Sequence, residues 1–263
     1  MALTALAVIY DWFFIITIIL LTMGGLYEFY YLMKKKGIPI YSYVGILIGA
    51  LIPYSIFAKF EPTKNWELLF IVLTFLTILF LQFARNDNSN AVVGISTTLF
   101  GILYVSWFFS FLIKIRMLLP TVDGAGIKLL AFIIIVTKSG DMGALLIGSR
   151  FGKHPLMPKV SPNKSIEGCL GSLACSIAFA VLFKSFLPTM LHFSTMQAAL
   201  MGAFFGIIGQ LGDLSESLFK RDCGVKDSGK LLPGMGGVLD IIDSLLFSAP
   251  AFYLYMSAVL KIL

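Results

Sequence analysis

Residues 196–214 read MQAALMGAFFGIIGQLGDL, and a stretch of this kind decides the class of fold. It contains a single ionisable residue, Asp213. A helix of about 20 apolar residues is long enough to cross the roughly 30 Å hydrocarbon core of a bilayer. Because similar stretches recur, the sequence predicts an all-α, polytopic integral membrane protein with about eight transmembrane helices. The predicted spans are 7–33, 41–58, 67–84, 91–113, 127–149, 169–191, 196–214 and 237–260.

Composition supports a membrane protein over other classes. The 263 residues are 58% hydrophobic and 13% charged, whereas soluble domains carry about 25% charged residues. The net charge of +6 comes without any run of basic residues interleaved with aromatics, so we expect no nucleic-acid partner. The three cysteines show no C-x-x-C spacing, which argues against a disulfide framework and against a zinc site.

The distribution of charge predicts how the chain is oriented. Twelve of the twenty basic residues fall in the loops after spans 1, 3, 5 and 7, which are therefore expected to be cytoplasmic, with both termini outside. Eight of the fourteen acidic residues lie between Asp141 and Asp243. We therefore expect one continuous membrane domain, with scaffold helices in residues 1–126 and a catalytic region in residues 127–263.

Acidic residues occur on both sides of a charged segment near the C-terminus. Asp240 and Asp243 are three residues apart, so they share one face of a helix. Paired carboxylates suit a hard cation, and charged groups inside membrane spans usually line a polar cavity. Alternatively, this pair only caps the helix N-terminus. Asp213 ends span 7 and is expected to join the metal site, although Asp213, Glu216 and Lys220 could also form ordinary helix-surface pairs.

The segment between these acids, residues 223–237, is called the motif loop below. Its glycines and proline allow the backbone to bend around a ligand and present N–H groups to oxyanions. Four cations in and just before it suit a polyphosphate, although basic residues are also expected in any cytoplasmic loop. These cations are Lys220, Arg221, Lys226 and Lys230.

A second polar segment precedes and follows residue 150. Asp141 interrupts an apolar span and is either part of the polar site or neutralised by Lys138 three residues earlier. The stretch Ser161–Ser165 reads as a turn that leads into a helix, with Ser165 as a candidate N-cap and Glu167 in the first turn. A phosphate could also bind at that helix N-terminus.

Carboxylates on helices, basic glycine-rich loops and the absence of a nucleophile motif indicate metal-assisted phosphoryl or nucleotidyl transfer. The residues from Ser217 to Asp243 closely resemble the C-terminal motif of the phosphatidate cytidylyltransferases, the CDP-diacylglycerol synthases. Earlier segments around Asp141, residues 148–152 and residues 161–171 look like that family's preceding motifs in the same order. The resemblance covers about residues 130–250.

The resemblance implies the reaction CTP + phosphatidate → CDP-diacylglycerol + diphosphate, with Mg²⁺ as cofactor and room for a second cation. The expected catalytic residues are Asp213, Asp240, Asp243, Lys226 and Asp227, and the expected metal ligands are Asp213, Asp240, Asp243 and Asp141. The expected substrate-binding residues are Lys164, Ser217, Lys220, Arg221, Lys230, Ser161, Gly236 and Gly237. CTP, phosphatidate and membrane lipid are the expected partners, and a homodimer is compatible with the resemblance. The expected location is the inner (plasma) membrane, with the active site facing the cytoplasm.

Several positions differ from the usual family pattern. Met235 stands where the family commonly has His, and Ile241 where it commonly has Arg; Asn163 and Ser165 replace the more usual Lys and Thr. Three alternatives therefore stay open: a CTP-dependent polyprenol or lipid kinase, an ion-coupled membrane transporter and an inactive homologue with a structural role.

Overall fold

The computed structural model describes residues 10–60, 66–229 and 236–262, which are almost entirely helical. The helices are α1 (Asp11–Lys35), α2 (Ser42–Phe57), α3 (Trp66–Phe83), α4 (Ala91–Gly101), α5 (Phe108–Arg116), α6 (Ala125–Phe151), α7 (Ile166–Phe183), α8 (Thr195–Asp222) and α9 (Val238–Ile262). A π-helical segment, Ile102–Trp107, joins α4 to α5. One two-stranded antiparallel hairpin, β1 (Pro155–Met157) and β2 (Ser161–Ser165), is the only sheet in these ranges.

Six helical stretches of the described chain are long and apolar enough to cross a membrane, judged by length and composition. They are Asp11–Lys35, Ala91–Arg116, Ala125–Phe151, Ile166–Phe186, Thr195–Asp222 and Val238–Lys261. The other two predicted spans form shorter apolar helices, Ser42–Phe57 and Leu69–Phe83. The prediction of an all-α, multi-pass membrane protein is confirmed, and the predicted count of about eight is approximate.

The chain divides into two compact units. The first comprises residues 1–113 and 223–239, and the second comprises residues 114–222 and 240–263. In the first unit, Tyr30 of α1 is 1% exposed and its hydroxyl donates a 2.8 Å hydrogen bond to the Thr98 carbonyl of α4. A Cβ at Gly45 or Gly101 would lie only 2.5 or 2.6 Å from this tyrosine, so both glycines make room for it. Small residues therefore let α1, α2 and α4 pack closely.

In the second unit, α6, α7 and α8 also pack through small residues. A Cβ at Gly202 of α8 would lie 2.7 Å from the Ile177 Cα and from the Ser176 carbonyl oxygen of α7. A Cβ at Gly143 of α6 would lie 2.6 Å from the Gly171 carbonyl oxygen. Helices pack this closely in membranes where dispersion contacts and polar contacts, rather than hydrophobic burial, hold them together.

The substitution Gly202→Ala tests this packing. Because the added methyl group would meet backbone atoms of α7, we expect the free energy of unfolding in detergent to fall by about 1–3 kcal/mol, despite alanine's higher helix propensity. The matched control is Leu200→Ala on the same helix, where the leucine is 62% exposed and should contribute little. Equal unfolding free energies for Gly202→Ala and the wild type would contradict the packing described.

Candidate active site

The candidate site lies in the second unit, where α8 meets the part of α9 that follows residue 239. A Cβ at Gly212 would lie 2.5 Å from the Asp243 carbonyl oxygen, so the two helices touch through their backbones. One turn earlier, a Cβ at Gly209 would lie 3.4 Å from the Ser248 hydroxyl oxygen. These glycines bring the acidic end of α8 against the acidic start of α9.

Three carboxylates converge at this contact. Asp213, Glu216 and Asp243 each offer an oxygen atom within 4.8 Å of the others. Asp213 and Glu216 share a face because they are three residues apart on one helix. Glu216 is fully buried and Asp243 is 6% exposed. The sequence analysis included Asp213 and Asp243 but not Glu216, whose spacing from Asp213 was the signal available.

Lys220 connects the acid group to Asp240. Its ammonium group forms ion pairs with Glu216, one turn earlier on α8, and with Asp240 of α9. The sequence analysis assigned Asp240 to a metal and Lys220 to a phosphate. In the structure these two side chains neutralise each other, beside the group of three acids.

Asp141 belongs to a neighbouring network. Its Oδ2 accepts hydrogen bonds from Lys138 Nζ at 2.8 Å and from Ser244 Oγ at 2.9 Å. Lys138 also donates to the Ile241 carbonyl and to Ser244 Oγ, each at 2.8 Å. Both readings of Asp141 therefore apply: it is neutralised by Lys138, and it is tied to the residue that follows Asp243.

A cavity of about 520 Å³ opens beside these acids. Lys164 of β2 lines it and forms a 2.7 Å ion pair with Asp213. The lining combines charged, amide and hydroxyl groups with leucine side chains. It comprises Asp141, Ala144, Leu145, Gly148, Ser149, Leu156, Asn163, Lys164, Ser165, Gly168, Cys169, Ser172, Gln210, Asp213 and Leu214.

The hairpin carries Lys164 to the cavity and leads directly into α7. Ser165 caps that helix, since its hydroxyl accepts a 3.1 Å hydrogen bond from the Gly168 N–H, as predicted. Ser161 is the first residue of β2. Arg221 donates from Nε to the Val160 carbonyl at 3.2 Å, so this predicted phosphate ligand also contacts the hairpin.

The remaining predicted residues lie elsewhere. Ser217 is buried on α8. Lys226 and Asp227 are exposed members of the first unit, where they line a second cavity of about 670 Å³. Gly236 has a φ of +85°, a conformation that favours glycine, and Gly237 is buried. Lys230 lies outside the described residues.

The acid group has the chemistry of a divalent cation site. Among the site residues just described, five carboxylates face three ammonium groups, those of Lys138, Lys164 and Lys220, which leaves an excess of negative charge when all are ionised. Neither oxygen of the buried Glu216 forms a hydrogen bond within the described chain. Clustered carboxylate oxygens are the ligands that Mg²⁺ prefers, so these residues fit that ion.

A carboxylate-rich cavity inside a bundle of apolar helices defines a membrane-embedded enzyme that acts on anionic substrates. Residues 1–259 match the cytidylyltransferase family. The chain belongs to this family and is a CTP-dependent nucleotidyltransferase, which confirms the resemblance found in the sequence.

Individual relatives agree with this assignment. The chain is 35% identical to the phosphatidate cytidylyltransferase of Bacillus subtilis, over 92% of this chain and 88% of the relative. It is 30% identical to the phosphatidate cytidylyltransferase of Synechocystis, over 98% and 93%. It is 38% identical to the phosphatidate cytidylyltransferase of Mycobacterium bovis, over 64% and 52%.

Binding of Mn²⁺, a substitute for Mg²⁺, tests the acid group. Glu216→Gln keeps the size of the side chain but removes its charge, so we expect Mn²⁺ affinity, measured by electron paramagnetic resonance, to fall by at least about tenfold. Asp243→Asn should act in the same direction. The control is Asp123→Asn, which alters an exposed acid. Unchanged affinity in both site variants would rule out a cation at these carboxylates.

Proposed function

We propose that this protein is a phosphatidate cytidylyltransferase, which forms CDP-diacylglycerol and diphosphate from CTP and phosphatidate. The group of Asp213, Glu216 and Asp243 beside a cavity that combines Lys164 with leucines is the observation that carries the proposal. Membership of the cytidylyltransferase family and the names of the relatives support it. The catalytic region is taken to be residues 127–263, with residues 1–126 as scaffold.

Both substrates are anions, so the first task of the site is to bring like charges together. Lys164 is the cation that lines the cavity, and its ammonium can exchange Asp213 for a substrate phosphate. We assign Arg221, Lys226 and Lys230 to substrate phosphates as well. Asp213, Glu216 and Asp243 would hold Mg²⁺, which neutralises triphosphate charge when bound. Asp240 and Asp141 would keep Lys220 and Lys138 in place.

The chemical step needs no general base. A phosphomonoester has a second pKa of about 6, so the phosphatidate headgroup is already ionised near neutral pH. One of its oxygens attacks the α-phosphorus of CTP, the new P–O bond forms, and the bond to the β-phosphate oxygen breaks to release diphosphate. The protein contributes positioning and charge neutralisation, which are the main sources of rate in phosphoryl transfer.

The amphipathic substrate fits a cavity with both polar and apolar walls. Leu145, Leu156 and Leu214 can contact acyl chains, while Lys164 and Asp213 meet the headgroup region. A site reached from the bilayer spares phosphatidate the cost of leaving it. The distribution of basic loops favours an active site on the cytoplasmic face, and the bacterial relatives favour the inner (plasma) membrane. A homodimer stays a prediction.

Turnover of labelled CTP tests the function. Purified protein with Mg²⁺ and phosphatidate should form CDP-diacylglycerol and release diphosphate, and turnover should require the metal. We expect Asp240→Asn and Asp243→Asn each to lower turnover by at least about 100-fold, whereas Asp123→Asn should keep wild-type turnover.

Product analysis by thin-layer chromatography separates the outcomes. A lipid kinase would leave CDP and a phosphorylated lipid alcohol in place of CDP-diacylglycerol and diphosphate. Full activity in both Asp240→Asn and Asp243→Asn would contradict the roles given to the acids. No turnover in the wild type with any phosphatidate would contradict the proposed function.

A further inference from the structure

We infer that Glu28 of α1 is a positioning residue that holds both ends of residues 229–237 and so fixes the motif loop for CTP. The inference rests on the proposed function for its kinetic consequence. Its structural part, the closure of the loop by one carboxylate, stands independently of that function. All of the contacts that carry it lie within the first unit.

Glu28 is a buried carboxylate that binds two separate points of the chain. It is 3% exposed. Its Oε2 accepts hydrogen bonds from Ser228 Oγ at 3.0 Å and from the Leu239 N–H at 2.9 Å, and its Oε1 accepts one from the Val238 N–H at 2.9 Å. Ser228 precedes residues 229–237 and Val238 follows them, so one side chain joins both ends.

The glycines at the two ends are shaped to this carboxylate. A Cβ at Gly229 would lie 2.2 Å from Glu28 Oε1. A Cβ at Gly237 would lie 2.3 Å from Glu28 Oε2 and 2.2 Å from Ser228 Oγ. Any other residue at either position would push the loop off Glu28. The sequence analysis assigned Gly237 to the substrate, and this packing gives that glycine a role within the protein itself.

Electrostatics explain why the group is an acid. Val238 and Leu239 are the first residues of α9, and the free N–H groups at a helix N-terminus favour a negative charge. Hydrogen bonds from backbone N–H groups to a carboxylate are shorter and stronger than neutral ones. A glutamine in this place would turn an amide NH₂ toward N–H donors, so at least one of the three bonds would be lost.

The ligand-binding part of the loop is adjacent to this contact. Lys226 and Asp227 immediately precede Ser228, and both line the cavity of about 670 Å³ together with Glu28. Tyr27, Tyr31 and Lys35 of α1 line the same cavity. Release of Ser228 from Glu28 would therefore free the segment that presents Lys226.

Limited trypsin digestion tests the closure without any assay of turnover. When a loop opens rapidly and reversibly, cleavage follows the population of the open form. In the full-length protein, Glu28→Gln should speed cleavage after Lys226 or Lys230 by about tenfold, as quantified by mass spectrometry. Cleavage after Lys153 or Lys159, near and within the hairpin, is the internal reference and should not change.

A matched control comes from the same unit. Ser106→Ala removes another buried polar contact, the hydrogen bond that its hydroxyl donates to the Gly49 carbonyl, and does not touch the loop. It should leave cleavage after Lys226 at the wild-type rate. Gly229→Ala, which keeps Glu28 intact but pushes the loop away from it, should reproduce the fast cleavage. Wild-type cleavage rates in both Glu28→Gln and Gly229→Ala would overturn the inference.

Kinetics separate positioning from a loss of folded protein. Glu28→Gln should raise KM for CTP by about tenfold and change kcat less, and Glu28→Asp should fall between it and the wild type. A purely structural role would lower kcat in proportion to the folded fraction at unchanged KM, which would overturn positioning. A wild-type protein that turns over no CTP would contradict the proposed function, while faster trypsin cleavage in Glu28→Gln would still support loop closure.

Discussion

The approach of α8 to α9 at Gly212 is the contact on which the rest of the site depends. A side chain at this position would collide with the Asp243 carbonyl, so only glycine lets the two backbones meet. The acids that flank the contact, Asp213 and Glu216 on one helix and Asp243 on the other, are then forced together. Each costs about 2.5–3.5 kcal/mol to place in a membrane span on insertion scales. A structure that gathers them needs positive charge nearby.

The protein supplies part of that charge itself. Lys220 neutralises Asp240 and contacts Glu216, Lys138 neutralises Asp141, and Lys164 contacts Asp213. These pairs leave Asp243 without a lysine, and they leave Glu216 without a hydrogen bond in the described chain. A divalent cation would complete the balance. The same lysine contacts keep the side chains in defined positions before the substrates bind.

Much of this arrangement could be predicted from the sequence, because it follows from local spacing. Hydropathy indicated the helices, and Asp213 and Asp243 were identified from acids that interrupt or end apolar stretches. The separate environments of Asp240 and Asp243 could not be predicted, since three-residue spacing places both on one face and only the neighbouring helix distinguishes them. Glu216 was missed because its spacing to Lys220 also fits an ordinary surface pair. Glu28 was missed because its partners are far away in the sequence.

Electron–nuclear double resonance of the protein with Mn²⁺ and CTP bound tests the central claim most directly. If Asp213, Glu216 and Asp243 hold the ion that meets the triphosphate, the protein-bound Mn²⁺ will show ³¹P couplings from CTP. These couplings will disappear together with the protein-bound ion in Asp243→Asn. A protein-bound Mn²⁺ without ³¹P couplings in the wild type, or couplings unchanged by Asp243→Asn, would contradict the account.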